Sequence, residues 1–347
     1  MASDNNTSLR KKEHLDLCLT DDVSFSSKTN GFEHYDFKHN AITEVLIEDI
    51  GFTTKFLKHK IDYPFLISCM TGGTSGADNI NAQLAIVAKE LNIPVGVGSQ
   101  RQALEDDDYI DSFKIVRENA PGIPVLSNIG AAQIVQFKSI DPIKKIIDMI
   151  EADALVIHLN PLQEVLQKEG ETNFKGLIPK IKKITKSIDI PVIAKEVGSG
   201  ISAEAALRLL DVGVEGIDVA GAGGTSWAGV ELLRSGENKN HYLWDWGLPT
   251  SYCISEVKKL KKNYKFTLIG SGGINTSLEA AKAFALGADM VASARMILKV
   301  LDESGVEGTV KYITDMFNEI RIIMYLTGSK NLKALKKGKL IKREVIF

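Results

Sequence analysis

Phe266–Arg295 reads FTLIGSGGINTSLEAAKAFALGADMVASAR, and this stretch decides the fold. A short apolar run, Phe266–Gly270, is followed by a glycine-rich turn, Gly270–Ile274, and then by an amphipathic stretch, Ser277–Leu286. Gly287 suits the left-handed end of that helix, and Ala288-Asp289 leads into a second apolar run, Met290–Ala294. Neither run alternates apolar with polar residues, as expected of parallel strands covered on both faces. A strand, a crossover helix and a second parallel strand make one βαβ unit.

The same unit recurs upstream. Further apolar runs lie at Phe65–Cys69, Pro94–Gly98, Pro124–Asn128, Ala154–Leu159, Pro191–Val197 and Gly216–Ala220. Helix-like segments alternate with them at Asn79–Leu91, Asp108–Ala120, Pro142–Glu151, Gly176–Ser187, Ala203–Val212 and Ser251–Lys262, with Val310–Leu326 after the last run. Eight strand–helix units predict an α/β fold, a closed TIM (β/α)₈ barrel with a short N-terminal extension and hairpin. Asp141-Pro142 predicts a capped helix start with proline at its first position, and Ser202 predicts another cap. The segments Glu44–Asp49 and Thr53–Leu57 predict a hairpin closing the bottom of the barrel. Residues 1–347 then form a single domain: 1–60 the extension and barrel floor, 61–327 the barrel, 328–347 a basic tail read as a solvated helix end. An open doubly wound sheet is the structural rival, but it carries a GxGxxG loop after its first strand. Thr71-Gly72-Gly73-Thr74 lacks that spacing.

A charge balance of 42 basic against 44 acidic residues gives no electrostatic reason to expect nucleic acid or an acidic membrane as partner. No apolar run reaches membrane-spanning length, and Met1–Arg10 is too polar for a signal peptide. Cys18, Cys69 and Cys253 are scattered without CxxC spacing, which fits a reducing compartment; the expectation is a cytoplasmic protein.

In such a barrel the C-terminal strand ends face the active site. They carry Ser68, Ser99, Asn128, His158 with Asn160, Lys195, Thr225 and Arg295. So many polar strand ends are hard to assign to packing, because buried polar groups are costly without partners. The Gly270–Ile274 turn and Ala294-Arg295 match the barrel phosphate site, where backbone amides and a helix N-terminus meet an anion. Lys195, inside an apolar run, faces the opposite side of its strand from Glu196. It would pair with a carboxylate, stabilise negative charge on the N1–C2=O edge of a flavin, or form a Schiff base. In His158–Glu164, Glu164 suits either Mg²⁺ or solvent, and Asn160 either a ligand or a helix cap. Arg101 suits a phosphate or a salt bridge to the acidic run Glu105–Asp108. Trp227 suits either a lid over a flat ligand or a packing anchor, and Arg10-Lys11 taken alone is a solvated basic stretch.

Together these motifs resemble the type 2 isopentenyl-diphosphate isomerases, flavin-dependent barrel enzymes of isoprenoid synthesis. The matching stretches are RKKEHL from Arg10, GFEHYDFKHNA, CMTGGT, GVGSQRQALED, SNIGAAQ, HLNPLQE, AKEVGSGIS, GAGGTSWAGVE and GSGGI, in order along nearly the whole barrel. The resemblance implies FMN contacts at Ser68, Cys69, Met70, Thr71, Ser99, Asn128, Lys195 and Thr225. It puts the FMN phosphate at Gly273, Ile274, Asn275, Ala294 and Arg295. It implies substrate contacts at Arg10, Lys11, Ser99, Gln100, Arg101, His158, Asn160 and Gln163, with Lys195, Gln163 and His158 catalytic and Glu164 the Mg²⁺ ligand. NADPH or NADH would serve only to reduce the flavin, and the family suggests a homo-oligomer, a tetramer or octamer. Asn275 departs from the basic residue of many relatives, and Ile42-Thr43 from a more usual Leu-Pro.

The alternatives are another FMN barrel or a non-catalytic barrel that only binds. A 2-hydroxy-acid oxidase needs a histidine near the end of strand seven, yet the histidines are at 14, 34, 39, 59, 158 and 241. An IMP dehydrogenase-like enzyme needs a loop cysteine, whereas Cys69 sits in a strand and Cys253 opens a helix.

Overall fold

The computed structural model describes residues 4–74 and 76–343. Eight parallel strands close into a barrel: β1 (Phe65–Ile67), β2 (Val95–Gly96), β3 (Val125–Gly130), β4 (Ala154–Leu159), β5 (Val192–Glu196), β6 (Gly216–Asp218), β7 (Thr267–Ser271) and β8 (Met290–Ser293). Consecutive strands are neighbours, and β8 pairs with β1 to complete the ring. Each of the eight apolar runs overlaps one strand, with Val125–Gly130 and Thr267–Ser271 extending past the C-terminal end of theirs.

Two hydrophobic layers hold this shell. The larger lies between strands and outer helices. The smaller fills the barrel itself and includes Leu66, Leu126, Val156, Ile193, Ile269 and Ala292. Because side chains alternate across a strand, residues two positions further along point into the same interior. Above Leu126, Val156, Ile193 and Ile269 therefore stand Asn128, His158, Lys195 and Ser271. The apolar plug ends where the polar mouth begins.

The floor differs in detail from the sequence expectation. Thr54–Phe56 forms a hairpin with His59–Ile61, while Glu44–Asp49 supplies no strand and ends in a 3₁₀ turn at Ile47–Asp49. Phe56 and Ile61 insert into the barrel plug from below. The helix after β8 runs over Arg295–Leu326, starting well before the expected Val310, with a break at Gly305 (φ 64°). Asp141 is itself helical and makes no capping bond with its side chain. Ser202 does cap its helix, accepting from the Ala205 amide at 3.1 Å. The basic tail is not a free helix end: Leu340–Lys342 pairs with Tyr35–Phe37, and Lys336 meets Asp289 at 2.8 Å. Its last four residues lie outside the described residues. The N-terminal extension contains a helix, Asp4–Thr20, that periodicity did not suggest.

Asp153 knots the floor together. Its carboxylate meets His59 Nε2 at 2.8 Å, accepts from Arg117 Nη2 at 2.8 Å and accepts from the Val125 amide at 2.9 Å. Burial works to raise its pKa, but these bonds hold it below the ordinary carboxylate value. Its contribution to stability is then complete above about pH 4 and is lost as pH falls through the lower native value. Asp153→Ala is expected to cost about 2–3 kcal/mol at pH 7. Urea unfolding of the two proteins should show that gap shrinking below pH 4; a constant gap contradicts the assignment.

Candidate active site

Above the plug the barrel opens into a cavity of about 640 Å³. That lies within the roughly 300–1,000 Å³ typical of ligand sites. From the sequence-derived set, Ser68, Cys69, Met70, Ser99, Asn128, His158, Lys195 and Thr225 line it, with Gly273, Ile274, Asn275, Ala294 and Arg295 on the phosphate-turn side. Arg10, Lys11, Arg101, Asn160, Gln163 and Glu164 line it as well. Two expected residues stand behind the wall. Gln100 is fully buried, with Nε2 donating to the Ile146 carbonyl and Oε1 accepting from the Asn128 amide. The Thr71 hydroxyl donates to Asn81 instead of facing the cavity.

His158, Lys195 and Asp218 are register partners on β4, β5 and β6 and form one row. Lys195 Nζ lies 3.2 Å from Asp218 Oδ2, so its carboxylate partner is Asp218 and not Glu196. Glu196 faces outward and accepts the amides of Val197, Gly198, Ser199 and Gly200, fixing the turn above β5. Asn128 Nδ2 donates to the Val97 carbonyl at 3.1 Å, which turns Oδ1 toward His158 Nδ1 at 2.9 Å. Nδ1 therefore carries the hydrogen and Nε2 the lone pair. Burial, then the Lys195 and Lys11 charges, push the His158 pKa down to about 4. The ring is neutral at pH 7.

A second network hangs on Glu231, which is 1% exposed. It accepts from Gln163 Nε2 at 3.0 Å and from Arg234 Nη1 at 2.7 Å, and lies 2.9 Å from His14 Nε2. Burial opposes ionisation, but His14, Gln163 and Arg234 hold its pKa down at about 2. Through His14 and the Glu13–Arg234 pair, this network docks the N-terminal helix over the mouth. The docked helix brings Lys11 against the Gly72 and Ser99 carbonyls, both at 2.8 Å. Burial, then Arg10, pull the Lys11 pKa down to about 7. Trp227 meets the His14 ring edge-on at 5.3 Å, so it anchors this helix while lining the cavity. Glu164 accepts from Asn160 Nδ2 at 2.9 Å and from the Glu171 amide at 2.7 Å, and Arg101 pairs with Glu105 and Glu171.

On the phosphate-turn side, Glu279 caps its helix by accepting the Asn275 and Thr276 amides, each at 2.9 Å. That leaves Gly273 and Ile274 to present amides to an anion. The Arg295 guanidinium holds the Cys18 and Asp21 carbonyls, at 2.8 and 2.7 Å. Arg295 itself begins the helix after β8 and lines the cavity. Burial pushes the Cys69 thiol up to about 12, so it is no ready nucleophile.

Residues 146–342 match the model of the FMN-dependent dehydrogenase family. An isopentenyl-diphosphate delta-isomerase of Chlorobium luteolum is 45% identical over 96% of each chain. The chain belongs to the type 2 isopentenyl-diphosphate delta-isomerase family. A Vibrio parahaemolyticus relative of the same name is 43% identical over 95% of this chain and 98% of its own. Among solved structures, a flavocytochrome b2 variant aligns at TM-score 0.70 with 14% identity, covering 98% of this chain and 91% of its own. A mandelate oxidase aligns at 0.64 with 15% identity, covering 94% and 95%. At such identities these two likenesses concern the fold alone. They agree with the closed parallel barrel seen here.

Asp218, Glu231 and His14 escaped the sequence reading. Asp218 carried the same signal as Lys195, a charge inside an apolar strand, in GIDVA. Glu231 lies among apolar helix residues, and His14 gave no signal beyond its RKKEHL motif. Nitrogen NMR of the ligand-free protein should find His158 neutral with hydrogen on Nδ1 at pH 7. Because the unfolded ring titrates near 6.5, this histidine lowers stability as pH falls from about 6.5 toward 4. An imidazolium signal at pH 7 would refute the assignment.

Proposed function

We propose that the protein binds FMN in the barrel mouth and converts isopentenyl diphosphate to dimethylallyl diphosphate, with Mg²⁺ at Glu164. The carrying observation is that one cavity joins two separate anion-binding groups to a polar floor. One is the Gly273-Ile274 turn with the start of the helix after β8; the other is Arg10, Lys11 and Arg101. The first suits the phosphate of FMN, the second a diphosphate. The buried Ser68 hydroxyl has no partner among the described residues, and this supports a polar ligand at the end of β1. Lys195 would hold the N1–C2=O edge of the ring, with Ser68, Ser99, Asn128 and Thr225 around it.

When bound, reduced FMN supplies an electron-rich face and an acid/base at N5 for moving a proton between two carbons of an allylic unit. The chain's own groups do the rest. Arg10, Lys11 and Arg101 hold the diphosphate and fix the alkene's distance from the polar row. Neutral His158 offers the Nε2 lone pair, so it accepts a hydrogen bond from a protonated neighbour and donates only after taking up a proton itself. Gln163, oriented by Asn160 at 3.2 Å and by Glu231, lines the same cavity and would present its amide to the bound substrate. The N-terminal helix and Trp227 shield the mouth from water, protecting a developing cation. Mg²⁺ commonly takes one or two carboxylates plus substrate phosphates. Glu164, with the unpartnered Asn160 Oδ1 nearby, fits that open arrangement.

The reaction is redox-neutral, so NADPH or NADH would act only to reduce the flavin beforehand. Free cysteines support a cytoplasmic setting, and the exposed Ile42, Leu46, Tyr242 and Trp246 support assembly into a homo-oligomer. The purified protein should be yellow and should turn over isopentenyl diphosphate only with Mg²⁺ and reduced flavin; full activity with FMN kept oxidised would refute the reading. Lys195→Ala should fold normally yet lose at least about 100-fold in kcat, as when a preorganised charge is removed. Glu164→Gln should raise the Mg²⁺ concentration for half-maximal activity by about 10–100-fold, measured by metal titration.

A further inference from the structure

Asp218 is the most deeply buried charged group in the polar row, at 1% exposure. It is the register partner of Lys195 on the neighbouring strand, and both side chains enter the barrel. Oδ1 accepts from the Ser271 hydroxyl on β7. Oδ2 meets Lys195 Nζ at 3.2 Å and has no other partner among the described residues. Three adjacent strands thus contribute a serine, a carboxylate and an ammonium to one line. A buried ion pair is a weak source of stability, since desolvation offsets most of its attraction. The placement of this pair at the ligand end of the barrel therefore calls for another reason.

We infer that Asp218 sets the electron affinity of the bound flavin by offsetting the charge of Lys195. The inference rests on the reading that FMN occupies this mouth with its N1–C2=O edge at Lys195. Hydride from NADPH or NADH supplies two electrons and one proton, and the oxidised ring becomes a reduced anion. Lys195 alone would favour that anion strongly. With Asp218 beside it the pair is close to neutral, and the reduced ring is held no more tightly than the oxidised one needs. The reduced flavin consequently stays electron-rich and basic, as a proton-moving cofactor must be. The Ser271 hydroxyl fixes the carboxylate so that the offset acts at one distance. Asp218 is a positioning residue here, acting through Lys195 and not on the substrate.

The test compares FMN-loaded wild type with Asp218→Asn. The readouts are the dissociation constants of oxidised and reduced FMN and the midpoint potential against a reference dye. Asp218→Asn is expected to shift the preference toward the reduced form by roughly tenfold, which for a two-electron couple raises the potential by about 30 mV. An unchanged or lowered potential overturns the inference, as does equal weakening of both redox forms, which marks a structural role. Asp218→Ser removes the same charge in a smaller volume and is read identically if the asparagine variant fails to fold. A chain that folds only with aspartate at this position assigns the pair to stability and also overturns the inference. Wild-type protein that takes up no FMN overturns the flavin reading itself, a result distinct from an unshifted potential in a yellow protein.

Discussion

The site depends on the two-residue alternation of the barrel strands. Leu126, Val156, Ile193 and Ile269 pack into one apolar plug, and the next inward positions are Asn128, His158, Lys195 and Ser271. Polar groups at the plug's upper boundary have hydrocarbon below them and a cavity above. Each must find a partner sideways, on the neighbouring strand, or upward, on a ligand. Asn128 with His158 and Lys195 with Asp218 are the sideways solutions. Moving any one of these strands by one residue would turn its polar group into the outer helical layer and break the row.

The second organising element is the carboxylate of Glu231. It sits beneath the N-terminal helix and joins three groups of different origin: His14 from that helix, Gln163 from the short helix Pro161–Leu166 after β4, and Arg234 from its own helix. One buried charge thereby couples the roof of the cavity to its wall. The roof in turn brings Lys11 against the Gly72 and Ser99 carbonyls. The same segment of chain therefore covers the cavity and lines it with Arg10 and Lys11.

Much of this was readable from the sequence. The eight apolar runs each held a strand because parallel strands buried on both faces leave a continuous hydrophobic trace. The polar strand ends that share the inward phase of the plug residues reached the cavity, because alternation carries them there, whereas Glu196 in the opposite phase turned outward. Gln100, which the resemblance placed at the substrate, lies behind the wall, and alternation gives no guidance there because residues 99 to 101 leave the strand. The floor hairpin was misjudged because Glu44–Asp49 has strand-like composition but lacks a partner, whereas His59–Ile61 is short and half polar. The N-terminal helix gave no periodic signal because polar contacts to Glu231 and Arg234, not an apolar stripe, hold much of it in place. Asp218 breaks an apolar run just as Lys195 does. A buried charge is best looked for together with its opposite.

Asn30 shows what this architecture demands of a nascent chain. Its amide donates to the Gly273 carbonyl and to Glu279, both at 2.6 Å, bridging positions 243 residues apart along the sequence. Gly223 is pressed against the Asn30 backbone so closely that even a methyl group there would collide. The Gly270–Ile274 turn thus takes its finished shape only when a segment made well before the barrel strands lies across one made near their end. During synthesis that upstream segment cannot make this bridge until β7 and the turn after it have left the ribosome, so closure of the mouth is a late event.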